Sequence, residues 1–177
     1  MKGRLPIMDN VIPGLYASTP EPLGFGPSLE IRAFLLQREG GNLLIYRSAS
    51  LEQDAEEVNG LGGISRQYLN HHHEASPACD WVAETFGAPL HVHEDDAGAA
   101  SEICEVGETF SERHMLGDDF EVVPIPGHTA GATAFLWDGG SIVFCLPETR
   151  CSSAGAGGGP RCSTGSATGN GTSRAWG

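Results

Sequence analysis

Basic residues are scarce in this chain: 10 Lys and Arg stand against 23 Asp and Glu, a formal net charge of −13. That balance repels a phosphate backbone and argues against nucleic acid as a partner, while a metal cation or a neutral small molecule meets no such barrier. No apolar run reaches the ~18 residues that a membrane-spanning helix requires, so no membrane partner is expected. The opening residues Met1-Lys2-Gly3-Arg4-Leu5-Pro6 lack the apolar stretch of a signal peptide, which predicts a cytoplasmic chain. The five cysteines, Cys79, Cys104, Cys145, Cys151 and Cys162, form no Cys-x-x-Cys pair. A zinc ribbon is thereby excluded, and an odd count suggests no disulfide framework. Residues 151–177 contain no Leu, Ile, Val, Phe or Tyr, and Trp176 is their one bulky apolar side chain. Such a Gly-, Ser- and Ala-rich stretch buries too little apolar surface to offset its conformational entropy. It reads either as a disordered tail or as out-of-frame translation of a GC-rich gene.

What is present is a chain of 177 residues, 40% apolar, enough for one domain with a sizeable core. Residues 10–150 alternate short strand and helix signals. Residues 11–16 read as a bent strand, and 29–37 and 43–46 as strands joined by the turn Gly40-Gly41-Asn42. A helix is predicted over 51–61 with Ser50 as N-cap and Gly62-Gly63 beyond it. Strand character returns over 64–70. A second helix opens at Ser76-Pro77, with Ser76 as cap and Pro77 in its first turn, and stops at Gly87. Strands follow at 89–93, 120–125, 132–137 and 141–145, with Gly139-Gly140 as the last turn.

The histidines carry the chemistry. His71, His72 and His73 follow the strand-like run Gln67-Tyr68-Leu69-Asn70, and His128 sits in the turn Pro126-Gly127-His128-Thr129-Ala130-Gly131. A His-x-His pair on a short extended segment turns both rings toward one point. A distant third imidazole then completes three ligands and leaves a fourth position open, the arrangement of a catalytic zinc site. The contrary reading is a polar loop and a turn whose rings satisfy backbone groups.

Four stretches, in order, resemble the metallo-β-lactamase fold superfamily of metal-dependent hydrolases. Leu69-Asn70-His71-His72-His73-Glu74-Ala75-Ser76 is similar to its His-x-His-x-Asp-His signature. Phe86-Gly87-Ala88-Pro89-Leu90-His91-Val92-His93-Glu94 resembles the strand after the following helix. Val123-Pro124-Ile125-Pro126-Gly127-His128-Thr129-Ala130-Gly131 resembles the Pro-Gly-His-Thr-x-Gly turn, and Ser141-Ile142-Val143-Phe144-Cys145 the strand leading to a Gly-Asp pair. The resemblance implies an α+β fold, an αββα sandwich with its second half incomplete, spanning residues 1–150, followed by the tail 151–177.

It further implies that His71, His73 and His128 are metal ligands for one zinc ion. Glu74 then becomes the candidate catalytic residue, either orienting a ligating ring or shuttling a proton as general base; the contrary reading is a solvated charge at a helix entrance, placed there by the helix dipole. Ala75 and Ser76 stand where the family has Asp and His, and Leu146-Pro147 or Pro147-Glu148 where it has Gly-Asp, so a two-metal centre is not expected. The early Asp-x-Gly turn is replaced by Tyr46-Arg47-Ser48. The implied activity is hydrolysis of an ester, thioester or lactone in a small molecule, with metal-activated water as nucleophile. The alternatives are a catalytically inactive relative that binds a ligand, or a gene fragment.

The remaining motifs read more plainly. His91 and His93 alternate along a strand and share one face; as a His-x-His pair they are a second candidate ligand set, although the resemblance implies no metal role for them. His114 reads as a surface residue of a polar loop, Glu94-Asp95-Asp96 as a solvated turn and cap, and Cys79 as helix packing. Gly24-Phe25-Gly26-Pro27 reads as an ordinary loop or a flap.

Overall fold

The computed structural model describes residues 8–22, 30–47, 49–139, 143–146, 151–152 and 161–162. Gly24-Phe25-Gly26-Pro27, Gly140, Glu148 and most of the tail lie outside the described residues. In chain order come β1 (Asp9–Ile12), β2 (Leu15–Ala17), β3 (Glu21–Pro22), β4 (Glu30–Ile31), β5 (Phe34–Leu36) and β6 (Leu43–Ile45). Then follow α1 (Leu51–Gly60), β7 (Arg66–Tyr68), a 3-10 turn (His72–Glu74), α2 (Pro77–Phe86), β8 (Leu90–His93), α3 (Glu94–Ala100) and β9 (Glu108–Phe110). The chain continues through β10 (His114–Leu116), β11 (Phe120–Pro124), β12 (Thr133–Asp138) and β13 (Val143–Leu146), with a two-residue ladder of β14 (Cys151–Ser152) and β15 (Arg161–Cys162).

Two sheets face each other. The first is seven-stranded, in the order β1-β2-β5-β6-β7-β8-β9, and the second four-stranded, β10-β11-β12-β13. In the first sheet β6, β7, β8 and β9 run parallel, and each step is made through helical structure. Parallel neighbours need such crossovers, and a consistent hand puts the helices on one face. The second sheet is an antiparallel meander. The architecture is the α+β sandwich that the sequence predicts. The three described α-helices pack with the first sheet, whose outward residues Leu35 and Leu44 join Leu51, Val58 and Val82 in one core cluster. Among the described residues none covers the outer face of the second.

Between the sheets, Leu15, Leu36, Leu43, Ile45 and Tyr68 meet Phe120, Val122, Phe135 and Trp137. Period-two alternation explains this division, since Leu36 faces the other sheet and Leu35 the helices. Phe120 and Phe135 stack at 5.7 Å between ring centres and are fully buried. α2 begins with Pro77 in its first turn and ends at Gly87 with φ 68°, a left-handed stop that glycine takes without strain. Neither Ser50 nor Ser76 makes a side-chain capping bond, and Ser50 is itself helical in backbone.

Three readings are corrected. Glu94-Asp95-Asp96 opens α3 rather than forming a solvated turn; Glu94 and Asp95 are exposed, but Asp96 is 2% exposed. His114 belongs to β10, half-buried, with its ring against Phe110 at 5.5 Å. The His71–His73 segment is not extended throughout, because a 3-10 turn begins at His72.

Candidate metal centre

The site forms where the carboxyl end of β7 meets the turn between β11 and β12. Asn70 joins the two sheets there: its Nδ2 donates to Thr133 O at 2.6 Å, and Thr133 N donates to Asn70 O at 2.8 Å. His71 leaves the strand in extended backbone, φ −163° and ψ 164°, and the 3-10 turn then folds His73 back beside it. Their rings lie 5.3 Å apart between centres at 72°. From the other side residues 126–131 bring His128, with ring centres 4.8 Å from His71 and 4.9 Å from His73.

One ring nitrogen from each of His71, His73 and His128 falls within 4.8 Å of the others, with His71 partly buried and the other two exposed. His73 Nδ1 and His128 Nε2 stand 3.0 Å apart. Two nitrogens on one tetrahedral zinc would be roughly 3.3–3.5 Å apart, from bond lengths of about 2.0–2.1 Å. Small ring rotations would bring the trio to that spacing. His71 Nδ1 is buried with no hydrogen-bond partner among the described residues. Burial first, then the neighbouring His128 and His73, lowers the His71 pKa to about 4. His73 is lowered as well, by burial and then by His72 and His128. The imidazoles at these two positions are neutral at physiological pH and offer lone pairs, as a metal requires. The donor set thus fits one borderline-soft divalent ion.

Glu74 is buried at 6% exposure and turns back across the 3-10 turn. Its Oε2 accepts from Asn70 N at 2.8 Å, and its Oε1 lies 3.7 Å from His71 Nε2. Ala75 and Ser76, which follow Glu74, are both 7% exposed. His72 turns to Asp96, with Nδ1 3.2 Å from Oδ1.

Sequence reasoning missed Asp96. Its Oδ2 accepts from His72 N at 3.0 Å and from Thr129 Oγ1 at 2.7 Å, while Oδ1 accepts from Gly131 N at 3.2 Å. Burial pushes its pKa up, but the hydrogen bonds from Thr129, His72 and Gly131 outweigh it and hold the carboxyl below its usual range. The available signal was spacing: Asp96 and Ala100 stand four apart and are the two buried residues of α3. His91 and His93 sit on β8 and are not among the three residues whose ring nitrogens cluster. Cys79 is buried beside Cys104 in a third core cluster, in keeping with packing.

The chain has the metallo-β-lactamase fold. The MIM-2 metallo-β-lactamase superposes with a TM-score of 0.58 over 76% of this chain and 57% of its own, at 16% identity. FEZ-1 from Legionella gormanii gives 0.55 over 75% of this chain and 58% of its own, at 16% identity. A metallo-β-lactamase of Cronobacter sakazakii with a HARLDQ motif gives 0.55 over 73% and 57%, at 17% identity. Among curated proteins, the uncharacterized protein YmaE of Bacillus subtilis is 31% identical over 115 residues, 62% of this chain and 40% of YmaE. No family model matches the chain. The chain therefore spans less than two thirds of the length of these relatives. No helix among the described residues is long and apolar enough to cross a membrane.

Proposed function

We propose that His71, His73 and His128 hold a single zinc ion and that the site hydrolyses an ester, thioester or lactone in a small molecule. One observation carries the reading: three imidazole nitrogens from segments 55 residues apart in sequence lie within 4.8 Å of one another. The fold supports it, as does the buried, unpartnered Nδ1 of His71. Imidazole ligation without carboxylates favours zinc over magnesium or calcium. When bound, zinc polarises a carbonyl and brings the pKa of water down to about 7.

The chain's own residues do the rest. His73 and His128 are exposed, so substrate reaches the site from the side they line. His71, depressed to about 4, stays neutral and keeps its lone pair in mild acid. Glu74 is anchored through Oε2 on Asn70 N and sets Oε1 3.7 Å from His71 Nε2, too long for a hydrogen bond, so it acts on that ring by charge; a proton relay would run through Oε1. Among the described residues three ligands converge; with one metal alone a leaving oxygen gains no second metal charge, and carboxylic esters suit such a site better than phosphodiesters.

Ala75 and Ser76 favour a second reading, a ligand-binding relative without activity. Metal analysis of the purified chain separates the two. Close to one zinc per chain, lost in His128→Ala, is expected; a wild-type stoichiometry below about a tenth supports the second reading.

A further inference from the structure

We infer that Asp96 is the positioning residue of the trio: its one carboxylate fastens the loop carrying His71 and His73 to the turn carrying His128, so the imidazoles converge before any ion arrives. The inference rests on the metal reading above and adds to it the part that makes the site preformed.

The geometry is specific. Neither ligand loop belongs to the element that carries Asp96, which stands in the first turn of α3. The His72 amide lies between two of the ligands and donates to Oδ2 at 3.0 Å. Thr129 directly follows His128 and donates its hydroxyl to the same oxygen at 2.7 Å. Gly131 closes that turn and donates its amide to Oδ1 at 3.2 Å. Two donors from one loop or the other could be met by water. A carboxylate 2% exposed, with donors from both loops, couples their positions instead.

The chain is shaped to admit it. A Cβ on Gly131 would stand 2.7 Å from Asp96 Cγ, 2.9 Å from Asp96 Cβ and 2.9 Å from His93 Cβ. Glycine there lets the turn's backbone come down onto the carboxylate. The turn amide and the Thr129 hydroxyl supply two of the donors, so the sequence Thr129-Ala130-Gly131 holds the turn to Asp96 as well as presenting His128. Outer-shell partners of this kind typically change metal affinity by about 10–100-fold when removed.

The test compares Asp96→Asn, Thr129→Val and a control, Val58→Ala, which opens the core on the far side of the first sheet where Val58 is fully buried. Zinc dissociation constants are measured by competition with a chromophoric chelator, and amide exchange of the metal-free chain by NMR. Asp96→Asn puts an NH2 group where one of the two carboxylate oxygens stood; with the loops coupled through this one side chain, it should weaken zinc about 10-fold or more. It should also speed exchange at both His72 and Gly131. Thr129→Val keeps volume, removes one donor and should weaken zinc several-fold; it carries the zinc test if Asp96→Asn does not fold. Val58→Ala should lower thermal stability and leave zinc affinity unchanged. Wild-type zinc affinity in both site variants overturns the inference, as does faster exchange in one loop alone. If the wild-type chain binds no zinc, the metal reading falls separately. Joint exchange at His72 and Gly131 then still decides whether Asp96 joins the loops.

Discussion

Two His-x-His pairs occur in this chain, and they have opposite fates. His91 and His93 lie on β8, a strand whose four residues are all buried. Every ring nitrogen of that pair is committed to the protein. His91 Nδ1 donates to Pro89 O at 3.0 Å and its Nε2 meets Glu108 Oε2 at 3.1 Å, while its ring packs on Tyr68 at 4.7 Å. His93 Nε2 donates to Ser111 O at 3.1 Å, and its Nδ1 accepts from Asp95 N at 3.2 Å as the N-cap of α3. His71 and His73 instead leave their strand onto a rim, where His71 Nδ1 has no hydrogen-bond partner among the described residues and His73 faces another imidazole. The motif is the same. What differs is whether neighbouring backbone groups satisfy the rings, and a pair so satisfied holds a fold together while an unsatisfied one is available to a ligand.

The sharpest way to break this contrast is to remove one ring from each pair. His71→Ala should lower zinc affinity more than 10-fold with little loss of stability, because few protein bonds depend on that ring. His93→Ala should do the reverse. It removes the cap of α3 and the bond to Ser111, a cost of about 1–3 kcal/mol, and should leave zinc bound. Equal zinc loss in both variants, at matched stability, would erase the distinction drawn between the pairs.

The two regions touch at Gly131, whose turn lies against both His93 and Asp96. Gly131→Ala should therefore damage both at once. The added methyl meets buried atoms at 2.7–2.9 Å, none of them the tip of a flexible chain. A cost of about 1–3 kcal/mol in urea unfolding is expected, together with weaker zinc binding. Stability within about 0.5 kcal/mol of wild type would show that the turn yields freely and that the close packing there matters little.

How far the sequence disclosed all this depends on whether the deciding contacts are local. α2 was legible in full because Pro77 and Gly87 punctuate it and act through their own backbone. The run 29–37 divides into β4 and β5, which lie in different sheets, and the bent strand 11–16 is the antiparallel pair β1 and β2, so the strands of the inner core were legible only in outline. α3 was not, since three acids in succession read as a solvated turn, although acids in a first turn also suit a helix dipole. β9 and β10 escaped too, being three-residue strands with the polar patterns Glu108-Thr109-Phe110 and His114-Met115-Leu116. At the site, the resemblance named the trio and set it around one point, but nothing in the sequence named the carboxylate that links its two loops. The bonds of Asp96 run to residues 24 to 35 positions away, and no periodicity in α3 names those partners.

The smallest effect separates the pairs by pH. An unfolded histidine takes a proton near pH 6.5, whereas folded His71 resists until about 4. Below pH 6.5 the unfolded chain therefore binds a proton that the folded chain refuses. Stability from this group is complete above pH 6.5, falls as the pH drops toward 4, and loses nothing more below that. A shift of this size corresponds to about 3 kcal/mol, but the open rim admits solvent and screens it, leaving about 1–2 kcal/mol. His91 is also lowered, first by burial, but Pro89 O and Glu108 pull it back upward. Urea midpoints of the metal-free chain at pH 7 and pH 5 should therefore converge more in His71→Gln than in His91→Gln. If His71→Gln keeps the full wild-type slope, the ring takes its proton in the folded chain as readily as in water, and the idea that burial holds it neutral and available is lost.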